Sequence, residues 1–373
     1  MRIGTITFHS AYNYGSALQA YALKEYLKSL GHDTHVIDYR GDDFDQYRLF
    51  ATGDSQRLHR ALSNIVFFPR NFKRYRNFEK FINQHLDITP NRYQGKNAEE
   101  ELKKDASSFD ALICGSDQIW NLDCTRGIVG PFFLDFAAPG CKKIAYAPSL
   151  AQTHFKSEFF NSSVKSQLSS LLDDFNSLSV REANTVSLFQ PLTKNPINVV
   201  VDPTLLLEKS QYTSIETDNL PSKIRNKKFI FAYTLWPNNS MRKYVDNLAR
   251  RHNLIIVYIS RKAINYSSPS INLFGISPSM FLKLIDDAEY VVSNSFHATV
   301  FSILFEKKFI TYGKDKATSR MAYLLSELHI SDHLVNDQFE SAFDPISADW
   351  DSVQKKLSEM RIYSIHYLKE ALS

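Results

Sequence analysis

Apolar and polar positions along the chain follow two periods. Short runs rich in β-branched and aromatic residues, the pattern of strands, occur at residues 2–8, 34–39, 109–114, 143–147, 177–180, 198–201, 229–235, 254–260, 290–293 and 308–313. Several of the stretches between them repeat apolar residues every three to four positions, as on one side of a helix. The first is the clearest. Leu18, Ala22, Leu23, Tyr26, Leu27 and Leu30 form a helical stripe that stops at Gly31, a residue suited to a helix C-terminus. Strand, helix and strand in this order open a doubly wound parallel sheet.

The pattern breaks twice. Residues 42–89 interrupt the sheet. Within 56–80, Arg57, Arg60, Arg70, Lys73, Arg74, Arg76 and Lys80 stand against one acid, Glu79, with aromatic and aliphatic residues interleaved. Such a basic amphipathic helix suits two settings: packing on a core with a solvated basic face, or peripheral docking on an anionic membrane. Residues 205–228 are loose and polar and read as a passage between domains. The expected fold class is therefore α/β, with two Rossmann-like β/α/β domains at 1–207 and 208–373 facing across a cleft. A final amphipathic helix at 349–372 is placed to cross back onto the first domain.

Bulk properties narrow the class. A chain of 373 residues exceeds one ordinary core. With 43% hydrophobic and 23% charged residues it reads as soluble and globular. A net charge of +4 does not announce nucleic acid. Cys114, Cys124 and Cys141 are an odd number without metal-ligand spacing, which fits a reducing cytoplasm and predicts no metal site. The opening MRIGTITF lacks the apolar core of a signal peptide, and no apolar run is long enough to span a bilayer. The expected location is the cytoplasm, at the inner face of the membrane if the basic helix docks.

Candidate chemistry gathers at strand ends. In an open parallel sheet, ligands bind outside the carboxyl ends of strands, beside helix N-termini whose N–H groups favour anions. The stretch 286–313 reads as strand, polar loop (Asn294, Ser295), helix opened by His297, and strand. An imidazole there can both give and take a proton near neutral pH. Arg181 follows the strand at 177–180 directly, a position that suits bidentate binding of carboxylate or phosphate. Arg320 lies in the first turn of a helix at 318–328. After the strand at 109–114 come Asp117, Gln118, Trp120 and Asn121, types that suit sugar hydroxyls and rings; a structural turn with a packed tryptophan is the alternative. Asn13 and Ser16 serve equally as helix caps or ligand contacts. The pairs Asp43/Asp45 and Asp349/Asp351 read as turn and helix-start residues. Glu208 and Glu216 have the separation of a nucleotide-flanking pair but lie in the interdomain passage.

Six stretches then combine: NYGSALQAYAL (13–23), CGSDQIWN (114–121), KKIAYAPSLA (142–151), SVRE (179–182), VVDPTLLL (200–207) and SNSFHATVFSILFEKKFI (293–310). In this order they resemble the polysaccharide pyruvyl transferase family. The resemblance implies a fold like that of GT-B glycosyltransferases. It implies transfer of pyruvate from phosphoenolpyruvate to two hydroxyls of a sugar, giving a cyclic ketal in bacterial capsule, exopolysaccharide or cell-wall polymer synthesis. The implied partners are phosphoenolpyruvate as donor substrate and a sugar or lipid-linked oligosaccharide as acceptor, with no cofactor and no nucleic acid. The family's donor site maps onto Arg181, His297 and Arg320, with Asn294 and Ser295 beside them. His297 and Asp117 are the expected proton carriers, and Asn13, Ser16, Gln118, Trp120 and Asn121 the expected acceptor contacts. Two positions depart from the family's pattern. Ala298 stands where many members have glycine, and Ser16 where many have aspartate. The rival readings are a GT-B-type glycosyltransferase using a nucleotide sugar and a non-catalytic carbohydrate-binding protein.

Overall fold

Strand β1 (Arg2–Ile6) runs into helix α1 (Tyr14–Ser29) and returns through β2 (Asp33–Arg40). Asn13 starts the helix by accepting the N–H of Gly15 at 2.9 Å. Gly31 ends it with φ +86°, while the His32 N–H bonds back to Leu27 O at 3.3 Å. The periodicity at 18–30 thus becomes a helix with nearly every residue up to Leu27 buried. In this computed structural model, residues 1–41, 57–151, 160–217, 219–313, 319–336, 338–339 and 343–373 are described, with the backbone alone at 57–66 and 319. Asp43 and Asp45 lie outside the described residues, as do the side chains of Arg57 and Arg60.

The long helix α2 (Arg57–His85) follows, then β3 (Ile88–Gln94), α3 (Ala98–Asp105), β4 (Ala111–Cys114), α4 (Leu122–Thr125), β5 (Lys142–Ala145), α5 (Ser162–Asp173), β6 (Ser177–Val180), α6 (Ala183–Phe189) and β7 (Ile197–Val199). Their sheet is parallel throughout, in the order β3-β2-β1-β4-β5-β6-β7. After α7 (Lys209–Thr213) a second sheet is built from β8 (Phe229–Tyr233), α8 (Asn239–His252), β9 (Ile255–Ile259), β10 (Ser270–Asn272), α9 (Pro278–Asp287), β11 (Tyr290–Ser293), α10 (Phe296–Leu304), β12 (Phe309–Tyr312), α11 (Ser319–Glu327) and β13 (Leu334–Val335). It too is parallel, in the order β10-β9-β8-β11-β12-β13. Helix α12 (Trp350–Leu372) ends the chain.

The expected α/β class with two Rossmann-like halves is what these sheets form. Strands β4, β8, β11 and β12 are buried at every position, as strands covered on both faces must be. That burial is why they read as continuous apolar runs. The chain divides into two compact units. One comprises Met1–Thr52, Ile82–Leu207 and Ser358–Ser373; the other comprises Gly53–Phe81 and Glu208–Leu357. Most of the inserted helix α2 therefore belongs with the second sheet, and most of α12 with the first. Within the first unit, Tyr367 Oη donates to Ala145 O at 2.8 Å and Arg361 Nε to Leu205 O at 2.7 Å, which fastens α12.

Strand order reverses between β1 and β4 in the first unit, and between β8 and β11 in the second. Connections leave such neighbours in opposite directions, which opens a crevice at their carboxyl ends.

Candidate active site

In the first unit the crevice between β1 and β4 is filled with polar side chains that bond one another. Thr7, just past β1, donates its hydroxyl to Ser116 O at 2.9 Å. Gln19 of α1 donates to Thr7 Oγ1 at 2.8 Å and accepts the Ser116 N–H at 3.1 Å. Ser16 donates its hydroxyl to Asp117 Oδ2, and the other Asp117 oxygen accepts the Gln118 N–H at 2.9 Å. The motifs at 13–23 and 114–121 are thus two sides of one network. Gly115 makes it possible: its φ is +123°, and a Cβ there would lie 2.0 Å from Tyr146 O.

The same network continues across β5 and β6. Ser116 Oγ donates to Ala147 O at 2.8 Å and lies 3.3 Å from Asp202 Oδ2. Arg181 Nη2 reaches Asp202 Oδ2 at 2.9 Å and also meets Ser116 Oγ. Glu182, fully buried, accepts from Ser149 Oγ at 2.7 Å, the Ala151 N–H at 3.2 Å and Thr185 Oγ1 at 3.2 Å. These contacts join the segments at 142–151, 179–182 and 200–207.

Several expected ligand contacts serve the fold here. Trp120 was expected to floor a sugar, yet it is 1% exposed. Its Nε1 donates to Phe132 O at 3.0 Å, and its ring is stacked on Phe133 and edged by Phe175 and Phe189, so no face is open to a ligand. Asn13 caps α1. Asn121 caps α4 by accepting the Asp123 N–H at 3.1 Å and donates to Gln118 Oε1 at 2.8 Å. Ser16, 4% exposed, braces Asp117. Gln118 is the half-exposed polar residue of its loop.

His9 and Asp38 form a second polar cluster in this unit. His9 Nε2 lies 2.9 Å from Asp38 Oδ1, Arg40 Nε reaches the same oxygen at 2.6 Å, and Arg92 Nε reaches Asp38 Oδ2 at 2.9 Å. Burial pushes the Asp38 carboxyl up, but the bonds and charges of His9 and Arg40 overcome it and hold it well below the usual carboxylate range. Sequence reasoning did not single out this cluster, nor Gln19, Ser116, Glu182 or Asp202 as site residues. His9 stands in the turn after β1, which was a readable signal. Gln19, Ser116, Glu182 and Asp202 lie within the six stretches, but nothing local marks them as buried.

In the second unit, Asn294 spans the crevice between β8 and β11. Its Oδ1 accepts the Leu235 N–H at 2.7 Å, and its Nδ2 donates to Thr234 Oγ1 at 3.1 Å and Trp236 O at 3.0 Å. All three polar positions of the amide hold the loop after β8, and the side chain is 1% exposed. Asn294, expected among the substrate contacts, holds this loop in place. Ser293 Oγ donates to Tyr233 O at 2.7 Å and accepts the Ser295 N–H at 3.0 Å. Ser295 caps α10, its hydroxyl accepting the Ala298 N–H at 3.4 Å. Ser295 therefore acts first as a cap, at the helix end whose other first-turn N–H groups have no partner inside the helix.

His297 is the second residue of α10 and 7% exposed. Its ring meets that of Phe296 edge-on, with centroids 5.2 Å apart. Arg320, in the first turn of α11, places its guanidinium carbon 5.2 Å from the Phe296 ring centroid. Behind them Thr299 Oγ1 pairs with Thr311 Oγ1 at 2.7 Å and reaches Met321 Sδ at 3.8 Å, locking α10 against β12 and α11. The structure therefore brings His297 and Arg320 to one aromatic ring, that of Phe296, at a helix N-terminus beside a switch point. An arginine, an imidazole and a helix N-terminus suit an anionic substrate that exchanges a proton.

The other acids lie elsewhere. Glu208 begins α7, where Gln211 Oε1 accepts its backbone N–H at 2.9 Å. Glu216 is buried near Lys283 and Asp286. Asp349 Oδ1 accepts the Ser352 N–H at 3.3 Å at the start of α12. Among the described residues no group of three or more His, Cys, Asp or Glu is placed to hold a metal ion, and no helix is long and apolar enough to cross a membrane.

Comparison with known proteins gives the fold and the family. A crystal structure of a UDP-N-acetylglucosamine 2-epimerase aligns with 98% of this chain and 96% of its own, at 11% identity and a TM-score of 0.50. The UDP-N-acetylglucosamine 2-epimerase of Rickettsia bellii aligns over 99% and 98% at 10% identity and a TM-score of 0.45. A glycosyltransferase from Streptomyces nogalater aligns over 100% and 99% at 12% identity and a TM-score of 0.43. The fold is GT-B-like. No curated protein matches the chain in sequence. The profile of the polysaccharide pyruvyl transferase family matches residues 13–315, a span that contains all six stretches above in full. With most of its length matched in this way, the chain belongs to the polysaccharide pyruvyl transferase family.

Proposed function

We propose that the protein transfers the pyruvyl group of phosphoenolpyruvate to two hydroxyls of one sugar, forming a cyclic ketal. The observation that carries this reading is that His297 and Arg320 both lie against the Phe296 ring at the start of α10. Phosphoenolpyruvate carries a carboxylate and a phosphate beside a carbon that must be protonated. A guanidinium and a helix N-terminus match the charges, and an imidazole matches the proton.

In this reading His297 delivers a proton to the methylene carbon, and the neighbouring carbon takes on positive character. A sugar hydroxyl adds to that carbon and gives up its proton. The bond to the phosphate oxygen then breaks, phosphate leaves with Arg320 stabilising its charge, and the second hydroxyl adds to the same carbon. Of the two hydroxyl protons, one replaces the proton given to the methyl group and one leaves with phosphate. Asp117 in the first unit is the carboxylate suited to a sugar hydroxyl. Arg181 is neutralised by Asp202, so we assign it to holding Ser116 and the Asp117 loop in place.

The test is ligand-induced stabilisation of the purified protein. A ligand that binds only the folded state raises apparent stability with the logarithm of its concentration. Phosphoenolpyruvate is expected to raise Tm, and Arg320→Ala to remove the effect. With phosphoenolpyruvate and an acceptor sugar, His297→Ala is expected to keep its fold and release no phosphate. Stabilisation by a nucleotide sugar and not by phosphoenolpyruvate overturns the reading in favour of glycosyl transfer. Near-normal turnover in His297→Ala removes His297 from its role.

A further inference from the structure

We propose that the outward face of α2 docks the protein on an anionic phospholipid surface. The inference is independent of the reaction catalysed. It starts from how α2 is packed within the second unit. Asn77 Nδ2 donates to Gly275 O at 2.6 Å, and Arg70 Nη1 to Arg261 O at 3.1 Å. The Arg74 guanidinium lies 5.9 Å from the Phe274 ring, and that of Arg261 lies 4.7 Å from the Phe67 ring. A Cβ on Gly275 would come within 3.1 Å of Arg74 N, so the helix backbone lies directly against this turn. Phe78 and Phe81 are buried. Residues 67, 70, 74, 77, 78 and 81 thus define the inward face, at a turn every 3.6 residues.

The opposite face is not the one a solvated helix presents. Phe68 is 38% exposed and Phe72 is 45% exposed. Their rings are stacked with centroids 5.7 Å apart, and Phe72 is stacked in turn on Tyr75 at 6.4 Å. This aromatic ridge runs along the helix. Beside it, on the same outward side, lie Lys73, Arg76 and Lys80, all exposed. One acid, Glu79, falls on this face. A helix that merely solvates its basic side has no physical reason to hold two large aromatic rings in water. An aromatic ridge lined by lysine and arginine does match a lipid interface. The rings enter the boundary between headgroups and acyl chains, and the cations meet anionic headgroups. The charge of the strip selects an anionic surface over a neutral one.

The test is co-sedimentation of the full chain with vesicles. One set is phosphatidylcholine alone and the other phosphatidylcholine mixed with phosphatidylglycerol. Binding is expected to the mixed vesicles at low salt, about tenfold or more above that to neutral ones, and to weaken with added salt. Phe68→Ser with Phe72→Ser, and separately Arg76→Glu with Lys80→Glu, are each expected to lower the partition coefficient about tenfold or more. All four positions are exposed, so circular dichroism and Tm should match the parent. Failure to prefer anionic vesicles overturns the proposal, and so does binding that survives either pair of substitutions. If the protein ignores vesicles but sediments as a dimer that the phenylalanine substitutions dissociate, a second copy covers this face and the lipid proposal is wrong.

Discussion

The guanidinium of Arg181 and the carboxylate of Asp202 lie 2.9 Å apart, with side chains 3% and 0% exposed. The pair joins the end of β6 to the segment after β7, and Ser116 is bonded to both partners. A buried charge that loses its partner is costly, about 3–5 kcal/mol. Arg181→Ala is therefore expected to lower stability by that amount in urea unfolding. Replacing both partners with apolar residues, Arg181→Met with Asp202→Leu, is expected to recover much of the loss. If Arg181→Ala unfolds like the parent and only loses stabilisation by phosphoenolpyruvate, the guanidinium serves the donor and not the fold.

Asn294 makes a sharper case because its amide is used completely. Asn294→Asp keeps the shape but turns two donated bonds, to Thr234 and to the Trp236 carbonyl, into a carboxylate facing an acceptor. The expected cost is on the order of 2–4 kcal/mol, together with loss of turnover as the loop after β8 shifts. Denaturant midpoints and initial rates measure the two effects. Parent-like stability in Asn294→Asp argues that the residue does not hold the loop.

Trp120 separates packing from sugar binding. Trp120→Phe keeps an aromatic ring in the core but removes the donor to Phe132 O, leaving a buried carbonyl unpaired. A loss of about 1–3 kcal/mol is expected, with KM for the acceptor unchanged. A raised KM at parent-like stability would return Trp120 to the sugar site.

Glu216 predicts a pH dependence. Burial first, and then the charge of Asp286, push its carboxyl up from 4.5 to about 7. The folded protein then holds a proton that the unfolded chain has already lost. The resulting contribution to stability falls as pH rises between these two values. Glu216→Gln removes the titration, and its side chain is only 8% exposed. The variant is expected to be more stable than the parent by about 2–3 kcal/mol at about pH 8, and equal to it at about pH 4. A difference that does not vary with pH shows that Glu216 ionises as it does in the unfolded chain.

Much of the fold was legible because its signals are local. The strand Tyr290–Ser293 and the helix Ser319–Glu327 stand almost where the sequence predicts them. Strand β3, ITPNRYQ, was not legible. It is a sheet edge with Thr89 and Tyr93 buried and most other positions exposed, so it carries no apolar run. Strand β10 is three residues long at the other sheet's edge. The basic helix was readable as a helix but not as part of the second unit. The bond that fastens it, from Asn77 to Gly275, spans 198 residues.

By itself the sequence determined most of the strands and helices, the two parallel sheets, the family, and which residues stand at the carboxyl ends of the strands. The family follows from the resemblance of six motif stretches; the rest follows from side-chain periodicity and turn chemistry, which act over a few neighbours. Only the tertiary structure decided what the polar residues at those ends do. It gave Asp202 to Arg181, the loop after β8 to Asn294, and Phe132 to Trp120, and it set His297 and Arg320 against Phe296. A buried polar group must find a partner wherever the fold supplies one. For Ser16 and Asp117 that partner is 101 residues away. No local pattern encodes such a distance, so position was readable from sequence and role was not.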